Sequence, residues 1–340
     1  MQFYWNDVSR MIRHLTVNKI INTGALFISY FISKWFKKPT VWGKPMSVSI
    51  EPTTACNLRC PECPSGLRSF TRPEGNLKAD FFRKTIDEIH PTLNTLVFYF
   101  QGEPYIHPHF LDMVSYAESK GIYTITSTNG HFLSDENISR TLDSNLSRLI
   151  ISIDGTTQET YEQYRIGGNI EKVIDGTRRL IQARKARNQT YPHVIFQYLV
   201  VRPNEHQIPE VYKLAKELGV DEVRLKTAQV YHYEQGNDLI PLNPKYSRYQ
   251  EKAAGFYSIK NELLNQCWRM WQACVITWDG LVVPCCFDKD ATHRLGDLKK
   301  NSMDEIWKGD KYHVFRSALL RSRKEIDICK NCTEGGEVFV

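Results

Sequence analysis

Cys56, Cys60 and Cys63 fall in a single short stretch, EPTTACNLRCPECPSG, with the spacing Cys-x3-Cys-x2-Cys. Three thiolates on one loop can hold three irons of a [4Fe–4S] cube and leave the fourth open to a small molecule. Residues 46–51, just before them, are strand-like. The run therefore sits on a loop at a strand's C-terminal end, where α/β folds place their ligands. The alternatives are three loop cysteines without metal or a zinc site, though zinc ribbons favour paired Cys-x2-Cys knuckles and four ligands.

The other six cysteines lie late in the chain, in no secreted disulfide pattern, and no signal-peptide pattern is evident. Both features suggest a reducing cytoplasm, where cysteines more often bind metal. Hydrophobic content of 41% and charged content of 24% are ordinary for a globular protein. The net charge of +6 is carried entirely by residues 1–45, where Arg10, Arg13, Lys19, Lys34, Lys37, Lys38 and Lys44 face Asp7 alone. A formally neutral body argues against a nucleic-acid partner.

Three stretches follow from the patterning. Residues 1–45 read as basic amphipathic helices, with Val8, Met11, Ile12 and Leu15 and then an uncharged apolar run over 20–33. That run is too short to span a bilayer. With Trp35, Phe36 and the flanking lysines it suits a helix lying in a membrane interface, peripheral on the inner face, or an apolar helix docked on the protein body. Residues 46–260 alternate strand and helix. Strands are expected at 46–51, 95–100, 123–128, 148–154, 194–201 and 221–226, and helices at 79–90, 110–119, 135–143, 170–187 and 208–218. Six such units imply parallel strands with right-handed crossovers, too few for a closed eight-stranded barrel. Residues 261–340 change character. ACVITWDGLVVPCC predicts a hairpin about Asp279-Gly280 with a type I′ turn, then a helix over 303–320 and Cys329-x2-Cys332.

The cysteine spacing resembles the signature of the radical S-adenosylmethionine (radical SAM) enzymes, and successive strand ends extend the likeness. Gln101-Gly102-Glu103-Pro104 is similar to the family's GGEP motif, with Gln101 in place of the first glycine. Thr128-Asn129 lies in STNG, similar to the ribose-proximal strand end, and Ser152 and Asp154 precede Arg165. The resemblance implies an open (β/α)6 partial TIM barrel of α/β class, with N-terminal helices and a small C-terminal hairpin-plus-helix iron–sulfur module. It implies that Cys56, Cys60 and Cys63 bind a [4Fe–4S] cluster. Gln101, Gly102, Glu103, Pro104, Thr128, Asn129, Ser152, Asp154 and Arg165 would contact S-adenosylmethionine. Glu103 would meet its amino group and Arg165 its carboxylate. One electron would then cleave the cofactor to a 5′-deoxyadenosyl radical that abstracts a substrate hydrogen. Glu62 departs from the family, which usually places an aromatic or apolar residue there against the adenine.

Cys267, Cys285, Cys329 and Cys332 resemble the ligands of a SPASM/twitch module holding one auxiliary [4Fe–4S] cluster. A zinc knuckle is the alternative. Cys274 and Cys286 are the spares: on a regular strand, adjacent Cys285 and Cys286 point to opposite faces. A fully ligated auxiliary cluster would accept an electron from the substrate. The resemblance thus favours an oxidoreductase that takes two electrons from a small hydroxylated metabolite, sugar- or lipid-linked, with flavodoxin or ferredoxin as donor. Peptide modification, by sulfatase maturation or ribosomal-peptide crosslinking, is the alternative. A non-catalytic electron carrier would leave QGEP, STNG and Arg165 without a purpose. No residue is assigned as the catalytic acid or base. Tyr99, His107, Gln197, Tyr198 and Lys226 lie on or near strand ends.

Overall fold

The computed structural model describes residues 5–253 and 255–333. Its strands are β1 (Ser47–Ile50), β2 (Thr95–Val97), β3 (Tyr123–Thr128), β4 (Arg148–Ser152), β5 (His193–Val200), β6 (Glu222–Thr227), β7 (Tyr249–Ala253), β8 (Phe256–Ile259), β9 (Ala273–Ile276), β10 (Leu281–Val283) and β11 (Gly296–Asp297). The chain forms two compact units. Among the described residues, one comprises 5–55, 70–126 and 263–333, the other 56–69, 127–253 and 255–262.

In the first unit the strand order is β11-β10-β9-β1-β2-β3. β9, β1, β2 and β3 run parallel, with Ser47 opposite Thr95 on one side and Ala273 on the other. Helices Ala79–Ile89 and Phe110–Ser119 connect them and bury Phe82, Ile86, Phe110 and Val114, with Phe82 and Phe110 packed on Phe98 of the segment after β2. β10 and β11 are antiparallel, so the late hairpin continues the sheet along the free edge of β1. The turn at Asp279-Gly280 corrects the type I′ expectation. Thr277 O accepts from Gly280 N at 2.9 Å, and of the two central residues Gly280 alone has positive φ, +90°. That is a three-residue connection closed by a left-handed glycine. The helix expected over 303–320 is also corrected. It divides into Met303–Lys308 and Asp310–Ser322, because extended Gly309 (φ −73°, ψ 169°) ends one and caps the next.

In the second unit β4, β5 and β6 are parallel, and β5 is buried along almost its whole length, as a central strand should be. Helices Ile170–Ala186 and Ile208–Leu218 follow β4 and β5. Asn169 caps the first by accepting from Lys172 N, and Gly219 (φ +78°) ends the second. The β7–β8 hairpin falls where the pattern marks no strand; Gln250, Glu251 and Lys252 are exposed and its pairing is irregular between Glu251 and Ala253.

Candidate active site and auxiliary cysteine cavity

The second unit holds the early cysteine loop. Cys60 is buried, Cys56 and Cys63 half-buried, and all three pack with Leu58, Tyr164, Val201 and Val230. Cys63 opens a one-turn helix, Pro64–Leu67, and Leu67 N donates to Cys63 O at 2.8 Å. Gly66 makes this compact loop feasible. A Cβ there would lie 2.5 Å from Cys60 N and 2.6 Å from Cys60 O. Neither its role nor that of Asn57 was read from the sequence. Asn129 Nδ2 donates to Asn57 Oδ1 at 2.7 Å and lies 4.0 Å from Cys56 Sγ, so the end of β3 is tied to the loop.

Arg165 and Asp154 form the charged part of this site. Asp154 is fully buried; one oxygen accepts from Leu199 N at 2.7 Å and the other from Arg165 Nε at 2.5 Å. The guanidinium so fixed reaches Cys60 Sγ at 3.8 Å. Burial pushes the Cys60 thiol up and Arg165 opposes it. Burial also works against the Arg165 charge, yet Asp154 and then Cys60 hold its pKa well above the ordinary value. A cation beside a sulfur ligand favours the thiolate that iron requires. Ser152 is buried, with its hydroxyl 3.4 Å from that of Ser127, and buried Thr128 Oγ1 accepts from Gly130 N at 3.0 Å. Glu62 Oε2 accepts from Tyr231 N at 2.8 Å, so the departing residue pins the segment after β6.

The first unit carries the QGEP turn. Gly102 has φ +75°, and a Cβ there would come 2.2 Å from Thr53 O and 2.9 Å from Ala55 O. Glu103 N donates to Ala55 O at 2.8 Å, while Glu103 Oε1 caps the turn Pro104–Ile106 by accepting from Tyr105 N at 3.2 Å. Gln101 is accommodated because its own φ is not positive. Several strand-end residues have structural partners. His107 Nδ1 accepts from His109 N, so Nε2 carries the proton donated to Leu77 O. Burial lowers its pKa, consistent with a neutral ring. In the second unit, buried Tyr198 donates to Asn204 O at 2.7 Å, and Lys226 is exposed.

Cys267, Cys285, Cys329 and Cys332 line a single enclosed cavity in the first unit, together with Phe287, Phe315, Leu319 and Arg323. Arg323 is almost fully buried, and its Nη2 donates to Cys332 Sγ at 3.1 Å. Its sequence setting, Arg321-Ser322-Arg323-Lys324, gave no signal for this role. The expectation that Cys285 and Cys286 part on a regular strand is corrected in its reason. β10 ends at Val283, and the pair sits in the following turn, closed by Asp288 N donating to Cys285 O. Cys286 is exposed and Cys274 is buried within β9, where burial lifts its thiol to about 12. Asp288 organises the next loop by accepting from Thr292 N and His293 N, and His293 pairs with Asp327 at 2.6 Å beside Cys329. Among the described residues no three His, Cys, Asp or Glu side chains are grouped for a single metal ion. In both sites the donors are soft cysteine sulfurs with one arginine beside the set, Arg165 at Cys60 and Arg323 at Cys332, which fits iron–sulfur clusters.

Comparison with known proteins agrees with this geometry. The family model of the Radical SAM superfamily matches residues 50–215, and that of the SPASM iron–sulfur cluster-binding domain matches 267–333. The chain is similar to a tungsten-containing aldehyde ferredoxin oxidoreductase cofactor-modifying protein of Pyrococcus furiosus, 27% identical over 78% of this chain and 82% of the relative. It is 28% identical to a PqqA peptide cyclase of Rhodopseudomonas palustris over 56% of this chain, and spans about half of the cyclase (48%). Streptococcus suis SuiB bound to S-adenosylmethionine shares the fold with a TM-score of 0.64 at 14% identity, over 92% of this chain and 76% of SuiB. The chain belongs to the radical SAM superfamily and carries a C-terminal SPASM-type iron–sulfur domain. Its cofactors are S-adenosylmethionine, a [4Fe–4S] cluster and auxiliary iron–sulfur clusters.

Proposed function

We propose that this radical SAM enzyme is an oxidoreductase that converts a secondary alcohol of a small metabolite, sugar- or lipid-linked, to a ketone. The reading rests on the auxiliary cavity: four cysteines close around it with Arg323 and apolar side chains. Four protein thiolates leave no iron of a cube open to substrate. When bound, the two clusters supply the electron that cleaves S-adenosylmethionine and the acceptor for the electron the substrate gives up. The balance is one alcohol and one S-adenosylmethionine giving one ketone, methionine, 5′-deoxyadenosine and a proton. An external one-electron donor of the flavodoxin or ferredoxin kind starts the cycle. In this reading Cys56, Cys60 and Cys63 hold the first cluster and Asp154 positions Arg165 beside it. The QGEP turn, Thr128, Asn129 and Ser152 orient S-adenosylmethionine, and burial keeps water from the radical.

A second reading, peptide modification, is favoured by the likeness to a peptide cyclase. The cofactor-modifying relative, matched over far more of its length, gives the small-molecule reading the stronger support. Polyols and glycolipids deuterated at the carbinol carbon test the choice. Deuterium in 5′-deoxyadenosine together with a carbonyl product supports oxidation. Transfer only from backbone- or side-chain-deuterated peptides would hand the function to the second reading.

A further inference from the structure

The N-terminal helix Val17–Phe36 is docked with a largely polar face inward, to which Leu26 and Tyr30 also belong. Lys19, Asn22, Ser29 and Ser33 are buried. Lys19 Nζ donates to the carbonyls of His14 and Gly121, and Asn22 exchanges hydrogen bonds with Lys44 N and Lys44 O at 2.8 and 3.0 Å. Ser33 Oγ donates to Thr40 O, and Trp271 Nε1 reaches the same carbonyl at 3.0 Å. Tyr30 and Phe27 lean on Trp268 with ring centroids 5.2 and 5.6 Å apart.

The opposite face is apolar and points to solvent. Val17, Ile20, Ile21, Ile28, Phe31 and Trp35 recur at helical spacing, with exposures from 44 to 85%. Gly24 lies in the same stripe, and a Cβ added there would meet nothing within 4 Å. Burying one such side chain is worth about 1.5–3 kcal/mol, so a water-facing stripe some 30 Å long forgoes a large stabilisation. The apolar periodicity therefore does not serve this chain's own core. Basic residues frame it: Arg13 before the helix, Lys34 in its last turn, and exposed Lys37 and Lys38 just beyond. Asp7, the sole acid in residues 1–45, is turned inward and bonded to Tyr123.

We propose that this face lies on an anionic lipid surface, with the helix in the interface plane and the enzyme body held at the membrane. Charge decides the occupant. The basic frame complements anionic headgroups and repels a second copy of itself, while Trp35 and Phe36 sit where interfacial aromatics anchor helices. The helix rests on the bilayer: among the described residues no single helix is long and apolar enough to cross it. The inference is independent of which substrate the enzyme oxidises.

The test is co-sedimentation of the reconstituted full chain with vesicles of phosphatidylcholine alone or mixed equally with phosphatidylglycerol. Binding to the mixed vesicles is expected, weakened about tenfold between 0.1 and 0.5 M salt. Ile28→Asp with Phe31→Asp, both at exposed positions, should reduce it at least about tenfold with circular dichroism and iron content unchanged. Lys34→Gln, Lys37→Gln and Lys38→Gln together should remove the preference for anionic lipid. Equal binding by the Ile28/Phe31 variant, or no binding by the wild type, overturns the proposal. So does a lipid-free dimer that the same two substitutions dissociate, since the face then belongs to a second copy.

Discussion

The Arg165 guanidinium lies 3.8 Å from Cys60 Sγ and is held there by Asp154, whose other oxygen is fixed by Leu199 N of β5. A positive charge beside a cluster ligand stabilises the reduced, more negative cluster. Arg165→Gln should therefore lower the reduction potential of the first cluster, by on the order of 50 mV. Redox titration of a variant lacking the auxiliary cysteines would isolate that cluster. An unchanged potential in a folded, iron-loaded protein would show that Arg165 acts elsewhere.

Gly102 and Gln101 should respond to substitution to very different degrees. Gly102→Ala places a methyl 2.2 Å from Thr53 O in a left-handed conformation, so about 2–4 kcal/mol of stability should be lost. Gln101→Gly restores the family's usual residue at a position without positive φ. It should gain nothing and cost up to about 1 kcal/mol through backbone entropy. Denaturant midpoints of the two variants measure both effects. A stabilising Gln101→Gly would contradict the conformation found at this turn.

The ligand assignment of the auxiliary cavity is open to iron analysis. Wild-type protein should bind about eight irons and Cys285→Ser about four, whereas Cys274→Ala and Cys286→Ser should stay near eight. Cys286 is exposed and Cys274 is buried in β9, while Cys285 lines the cavity. Four irons in Cys286→Ser with eight in Cys285→Ser would reverse the choice.

The alternating part of the chain was legible because period and punctuation agreed. Helices Phe110–Ser119, Asp135–Asp143 and Ile208–Leu218 have the bounds their patterns imply. Where two physical solutions share one pattern, the sequence could not choose between them. An Asp-Gly hairpin can close through two or three residues, and Gly309 can interrupt a helix or end it. The stripe of Val17–Trp35 has the period of a core-facing face, and only the inward bonds of Lys19, Asn22 and Ser33 show that it faces outward. At the site, the cysteines announced themselves by spacing. Gly66, Arg323 and Asn57 did not, because their roles depend on contacts 6–72 residues away in sequence, which no local pattern encodes.

Lys19 offers a pH test of how the N-terminal helix is held. Burial lowers its pKa to about 8, with Glu118 opposing part of that shift. The folded-state value is below the ordinary 10.5, so between these two values the unfolded chain binds the extra proton. Stability then rises with pH through that window, and below pH 8 the burial cost is constant. At 1.36 kcal/mol per unit the full rise is about 3 kcal/mol. Lys19→Met keeps the apolar stem but leaves the His14 and Gly121 carbonyls without this donor, a cost of about 1–3 kcal/mol. At pH 7 that cost largely offsets the relief of removing a buried charge, so variant and wild type should be within about 2 kcal/mol. Denaturant titrations from pH 8 to 10 should then show the wild type gaining on the variant. If the two curves stay parallel, Lys19 remains charged throughout and its two carbonyl partners hold the ammonium as firmly as water does.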